Sequence, residues 1–388
     1  MTSADPGATP LVDRALAPDL ARGLMLLLIA LANVTAWVYG QPIGVRGYRP
    51  DPTGADQVVT MVQLTLVDGR AFPLFGLLFG YGIGQLARRR TALGMLEPVV
   101  IGLVRRRGWW LLLIGGLHGV LLFSGDIAGA YGLLGVLMAT TLVRGSDRAL
   151  GRLAVIGTLL VVLLGATVAV PDPEGQPVLG SVAVAGPLAA LGVRAVEWVG
   201  GGLPGSMLSV FGAVALGALA CRHRLLDEPE RHRALLGRLA AAGLTGAALG
   251  GLPLALVAGG IWDVPGGVLA VFTALHALSG YAGGIGYAAL FGLVAAWLTA
   301  RGGPGPLGRA VRACGQRSLS CYLAQSVAYA LLLPAWTLGL GARLHPAVGA
   351  LLAVSVWLTI LLVAAVSAGL NLRGPAETAL RRLTYGRA

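Results

Sequence analysis

Long apolar stretches punctuated by arginine clusters dominate the pattern along the chain. Such runs occupy residues 21–40, 71–87, 108–124, 127–143, 153–170, 203–220, 239–260, 267–299, 318–338 and 347–370. A helix needs about 20 apolar residues to cross a ~30 Å hydrocarbon core, and it satisfies its own backbone while doing so. The pattern predicts an all-α, polytopic transmembrane bundle of about ten spans in a single integral membrane domain, 1–388. A flexible N-terminal tail (1–18), a basic cytoplasmic loop (221–238) and a cytoplasmic C-terminal tail (371–388) are expected outside the spans. Two stretches, 55–71 and 184–200, mix apolar residues with charges and read as interfacial helices on the outer side. The run 267–299 is too long for one perpendicular helix and carries Gly280, Gly283, Gly284 and Gly286, so it is expected to be tilted, broken or partly re-entrant.

Composition agrees with that picture and narrows it. Of 388 residues, 56% are hydrophobic and only 12% charged, with a mean hydropathy of +0.78. So few charges cannot cover a soluble surface, and so much apolar area excludes disorder. The 60 glycines favour close helix packing. The net charge is +12, and every basic residue is arginine. Of the 29 arginines, 24 fall in the termini or in loops on one side of the predicted bundle. Basic loops stay in the cytoplasm, so both termini are expected inside, in a bacterial inner membrane. Charges that punctuate spans, instead of gathering on a soluble face, exclude nucleic acid as a partner. Cys221, Cys314 and Cys321 form no CxxC pair, so neither a disulfide framework nor a metal site is expected. Residues 1–20 lack the short apolar core of a cleaved signal peptide, so the first run is expected to stay as an anchor.

Polar groups at membrane depth then become the candidate chemistry, because each is costly there unless paired or hydrated. In the first span, Asp19, Arg22 and Asn33 share one stripe, read either as an interfacial ion pair with helix glue or as a lining. Asp68 and Arg70 point apart on a helix, so each needs its own partner. Arg70 could hold a phosphate or carboxylate as a fork, or pair structurally with an acid such as Asp126. His118 lies about ten residues into its span, roughly 15 Å deep, where a neutral imidazole can take up a proton. Asp126 follows at the outer end of that run, and Tyr131 lies about one turn into the next. Ser318, Tyr322, Gln325 and Tyr329 form a continuous polar stripe, expected to face a wet cavity or a hydrogen-bond ladder. His276 is a weaker candidate, and His223, His232 and His345 read as solvated loop residues. No nucleophile elbow, P-loop or metalloprotease motif is present.

Four local patterns resemble a bacterial integral membrane family, domain of unknown function 418, the YeiB-like proteins. They are Asp19-Leu20-Ala21-Arg22-Gly23 leading to Asn33, Gly69-Arg70-Ala71-Phe72 followed by Leu78-Phe79-Gly80-Tyr81-Gly82, Gly115-Gly116-Leu117-His118 followed by Gly125-Asp126-Ile127 and Tyr131, and Gly315-Gln316-Arg317 through Tyr322-Leu323-Ala324-Gln325-Ser326. The last is followed by Gly374-Pro375-Ala376-Glu377, similar to that family's closing motif. Cys321 stands where the family usually has Asn, and Gln316 where it has a basic residue. The resemblance implies a distant relation to membrane-embedded acyltransferases, which pass an acyl group from a cytoplasmic thioester to an acceptor.

Three functions of different kinds are open on this reading. In acyl transfer, His118 is the general base, with Asp126 and Arg70 orienting it or the acceptor. Tyr322 and Gln325 then donate to the oxyanion, while Arg22 or the arginines at 88–90 and 105–107 hold donor phosphates. Acyl-CoA or a similar thioester is a co-substrate, and no cofactor is permanently bound. The partners are the bilayer, the donor and a hydroxyl or amine acceptor. In a transporter or exporter, the same groups line a pathway. In an assembly protein, they only glue helices together.

Overall fold

The computed structural model describes residues 15–167 and 176–386; of the tail expected at 1–18, residues 1–14 lie outside the described residues, and the remainder is no loose tail, because the first helix starts at Leu16 and buries Ala17 and Pro18. The described chain is helical, without strands. Fifteen α-helices follow in order: α1 (Leu16–Val34), α2 (Gly54–Leu66), α3 (Ala71–Ala92), α4 (Glu97–Leu121), α5 (Ala128–Leu137), α6 (Ala139–Arg144), α7 (Asp147–Thr167), α8 (Pro187–Glu197), α9 (Leu203–Arg222), α10 (Arg233–Ala258), α11 (Gly266–Ala300), α12 (Pro306–Gln316), α13 (Ser318–Leu332), α14 (Pro346–Gly369) and α15 (Pro375–Tyr385).

Seven continuous helical stretches are long and apolar enough to cross a membrane, and α5 and α13 are shorter apolar helices. Each apolar run of the sequence coincides with a helix. Val155, Leu159 and Leu163 on α7 and Leu351, Leu358 and Leu362 on α14 point outward although large and apolar. Rows of exposed aliphatics at helical spacing suit a hydrocarbon surround and would be costly in water. The protein is a membrane protein.

Several boundaries differ from the sequence reading, each for a physical reason. The run 267–299 is one unbroken helix of 35 residues, α11, roughly 52 Å at 1.5 Å per residue. Its glycines accommodate neighbouring helices and do not break it. Residues 184–200 are not a separate interfacial piece: α8 passes into α9 through a π-helical turn at Trp198–Gly202. The 127–143 run is interrupted at Met138, between α5 and α6. The basic loop is shorter than expected, because α9 ends at Arg222 and α10 begins at Arg233. Leu226 and Asp227 donate their backbone N–H groups to the Tyr81 hydroxyl (3.0 and 2.9 Å), which ties the loop to α3. The C-terminal segment is no loose tail either, since α15 buries Leu380 and Thr384, one turn apart.

The packing centre is α1, which touches α3, α11, α12, α13 and α14. Beside it, α3 and α9 cross at backbone contact. A Cβ at Gly80 would overlap the Val214 carbonyl, and one at Gly217 would overlap the Leu77 carbonyl. Helices meet this closely only where side chains vanish from both faces. The Gly80→Val or Gly217→Val variant should therefore lose about 3 kcal/mol or more, at or above the top of the ordinary overpacking range of about 1–3 kcal/mol seen where side chains can give way. Gly237 faces open space, so Gly237→Val should cost less than either. Thermal unfolding in detergent measures the difference, and equal midpoints for all three would contradict it.

Candidate functional site

The site starts with a helix cap. Asp126 follows the turn after α4 and accepts hydrogen bonds from the Ala128 and Gly129 backbone N–H groups (3.1 and 2.6 Å), which begin α5. These are unsatisfied donors at a helix N-terminus, where a carboxylate is favoured. The same carboxylate accepts from Nδ1 of His118 at 2.7 Å. A carboxylate only accepts, so the proton sits on Nδ1; in the neutral ring Nε2 is then the free acceptor. His118 Nε2 is buried with no hydrogen-bond partner among the described residues. Gly115 makes the arrangement fit: a Cβ there would overlap the Gly129 backbone and stand 2.6 Å from Asp126 Oδ2.

Tyr322 completes the group from α13. Its hydroxyl accepts from the Ile127 N–H (3.3 Å) and lies 3.5 Å from Asp126 Oδ1. Its ring centre is 5.0 Å from that of His118. Residues 118, 126 and 322, distant in sequence, therefore form one buried cluster.

A cavity of about 1000 Å³ adjoins this cluster. Tyr322, Tyr131, Ile127 and Ala128 stand at its inner end, and the Tyr131 hydroxyl is buried without a partner among the described residues. The walls there are apolar, with Ile29, Phe75, Phe79 and Leu111. Toward the other end come Arg22, Arg89, Arg90 and Arg107, joined by Arg373, Arg381 and Arg382. Arginines that the sequence assigned to different loops of one side thus line one opening.

Several predicted site residues lie elsewhere. His118 and Asp126 pair with each other, but neither is on the cavity wall, whereas Tyr322 is. Gln325 is no oxyanion donor, because its amide donates to the Leu26 carbonyl (2.8 Å). Tyr329 likewise donates to the Ala30 carbonyl (2.9 Å). The polar stripe of α13 therefore divides: Ser318 and Tyr322 face the cavity, while Gln325 and Tyr329 form a ladder onto α1. Asn33 does not line the cavity. Arg22 does; it lies 3.8 Å from Asp19 and donates to the Leu78 carbonyl (3.0 Å).

Arg70 belongs to a separate, structural cluster. It does not reach Asp126. Its guanidinium is fully buried, donates to the carbonyls of Asp68 and Ala247 (2.5 and 2.8 Å), and lies 2.9 Å from both ring nitrogens of His276. Asp68 pairs with Arg46 from the loop after α1 at 2.7 Å, and that carboxylate raises the Arg46 guanidinium above its ordinary pKa. The spacing of His276, Gly280 and Gly283 at i, i+4 and i+7 on α11 was the available signal for this seat.

Sequence reasoning also missed Glu377. It accepts from the backbone N–H of Leu319 (2.7 Å) and Ser320 (3.2 Å), and from the Ser320 hydroxyl. The closing Gly-Pro-x-Glu motif thus caps α13, the helix that carries Tyr322.

Residues 220–387, from the end of α9 onward, match the model of the family described as protein of unknown function (DUF418). The likeness to the DUF418 family extends over these residues. No curated protein matches the chain. The DUF418 match contains Tyr322, Glu377 and the three C-terminal arginines, while His118 and Asp126 precede it.

Two substitutions separate framework from site in this protein. Arg70→Met leaves two buried carbonyls and an imidazole unpaired, at about 1–3 kcal/mol each. It should lower the thermal midpoint without changing binding of any ligand in the cavity. Glu377→Ala removes a charged helix cap and should cost about 1–2 kcal/mol, read from the same unfolding curves.

Proposed function

We propose that the protein is a membrane-bound acyltransferase of a bacterial inner membrane. It takes an acyl group from a cytoplasmic thioester and passes it to a hydroxyl or amine acceptor. The arginine-lined opening is then the cytoplasmic end, in a ten-span topology with both termini inside. The observation that carries the reading is the Asp126-oriented His118, its Nε2 unpartnered, beside Tyr322 at the inner end of a cavity with a basic mouth.

The chemistry follows from those groups. The donor lies in the cavity with its thioester carbonyl near Tyr322. The Tyr322 ring swings aside to admit the acceptor to His118. As the acceptor oxygen or nitrogen attacks the carbonyl carbon, its proton moves to Nε2, and Asp126 holds the resulting imidazolium. The tetrahedral intermediate collapses, the carbon–sulfur bond breaks, and the imidazolium returns its proton to the departing sulfur. Thiol and acylated acceptor leave, and the ring is neutral again. Tyr322, released from Ile127 and Asp126, donates to the oxyanion.

The competing readings differ in outcome. A carrier needs a route to the opposite end of the bundle, whereas the residues lining this cavity include none from 35–70, 187–202 or 333–345, the segments next to the other ends of α1, α9 and α13. A scaffold needs no free acceptor nitrogen. In proteoliposomes supplied with radiolabelled acetyl-coenzyme A and a panel of hydroxyl and amine acceptors, label should pass from thioester to acceptor. His118→Ala should slow that step by about 10²–10⁴-fold, the usual contribution of a general base, with unchanged expression and melting. Bound donor that never loses its acyl group, or full turnover by His118→Ala, would overturn the proposal.

A further inference from the structure

The arginines of the cavity mouth are not a uniform basic face. Arg88 turns away to pair with Asp227, and Arg105 reaches Thr140. Arg89, Arg90 and Arg107, from α3 and α4, line the opening, and Arg373, Arg381 and Arg382 line it from in and beside α15. Two carboxylates also stand on that wall, and both are engaged. Asp19 accepts from Gln316 (3.1 Å), and Glu377 caps α13. The mouth therefore holds a large excess of positive charge, and it leads into the apolar end beside Phe75 and Phe79.

We propose that these two arginine triplets form a clamp for a head group bearing two or more phosphates, attached to an apolar or acyl group that extends inward. Guanidinium forks match phosphate oxygens in pairs, and two triplets on facing elements suit a charge spread over more than one phosphate. The C-terminal helix supplies half of the clamp. Arg90 lies over the Tyr385 ring, 5.1 Å from its centre, and Glu377 binds the start of α13, so both ends of α15 are fastened across the mouth. The inference rests on the transfer reading only in taking the occupant to be the donor. The same chemistry is offered by a soluble nucleotide-type thioester or by a lipid phosphate.

The test uses the full chain in phosphatidylcholine nanodiscs, titrated calorimetrically with coenzyme A and, separately, with farnesyl diphosphate. One of these probes should bind, with affinity falling as salt rises. Arg382→Gln on α15 and Arg107→Gln on α4 should each weaken it by about tenfold, the loss of one charge-assisted fork. Arg148→Gln removes an exposed arginine outside the cavity and should change nothing. Binding of coenzyme A identifies a soluble donor, and binding of the farnesyl diphosphate a lipid one. No binding by either probe, or equal weakening by Arg148→Gln, would overturn the clamp. Arginine-dependent binding without turnover leaves the clamp standing and removes acyl transfer. Turnover with an unaltered donor KM in both cavity variants removes the clamp and leaves acyl transfer.

Discussion

Hydrocarbon offers no water to an unpaired polar group, and most of the buried chemistry here answers to that constraint. Many polar side chains in the spans are paired, often with a backbone carbonyl. Gln325, Tyr329 and Trp357 donate to the carbonyls of Leu26, Ala30 and Gly23 on α1. Arg70 takes two carbonyls and an imidazole. Such bonds are costly to leave unmade, and they fix which helix faces which. Against that background, His118 Nε2 and the Tyr131 hydroxyl stand out as buried groups without partners at or next to a cavity.

The site joins two parts of the chain. His118 and Asp126 lie at the junction of α4 and α5, before the DUF418 match, while Tyr322 lies within it on α13. Glu377 fastens α15 to the first turn of α13, one turn from Tyr322. Whatever settles in the mouth thus touches a helix bonded directly to the one that carries the tyrosine.

The helical bundle was legible because every span announces itself by length and composition. The pairing of His118 with Asp126 was also within reach, since eight residues and one turn separate them. Other features needed the third dimension. Gln325 and Tyr322 share a stripe on α13, and no periodicity says that one meets α1 while the other meets open space. The partner of Arg70, His276, is 206 residues away. The C-terminal helix escaped notice because its short amphipathic pattern, after the last apolar run, reads as solvent-exposed chain. Its Gly-Pro-x-Glu start was visible, but the capping role of the glutamate depends on where α13 begins.

Arginine takes every position that lysine could have filled in the protein, and the structure shows one use for that preference. Arg22, Arg70, Arg194 and Arg317 each donate to backbone carbonyls of other segments or turns. A planar fork serves several acceptors at once, where an ammonium acts as a point charge. The consequence reaches beyond folding. With no side-chain amine anywhere, the surface offers no target for lysine acetylation, for isopeptide tagging or for amine-directed crosslinkers, so control by those routes is closed to this molecule.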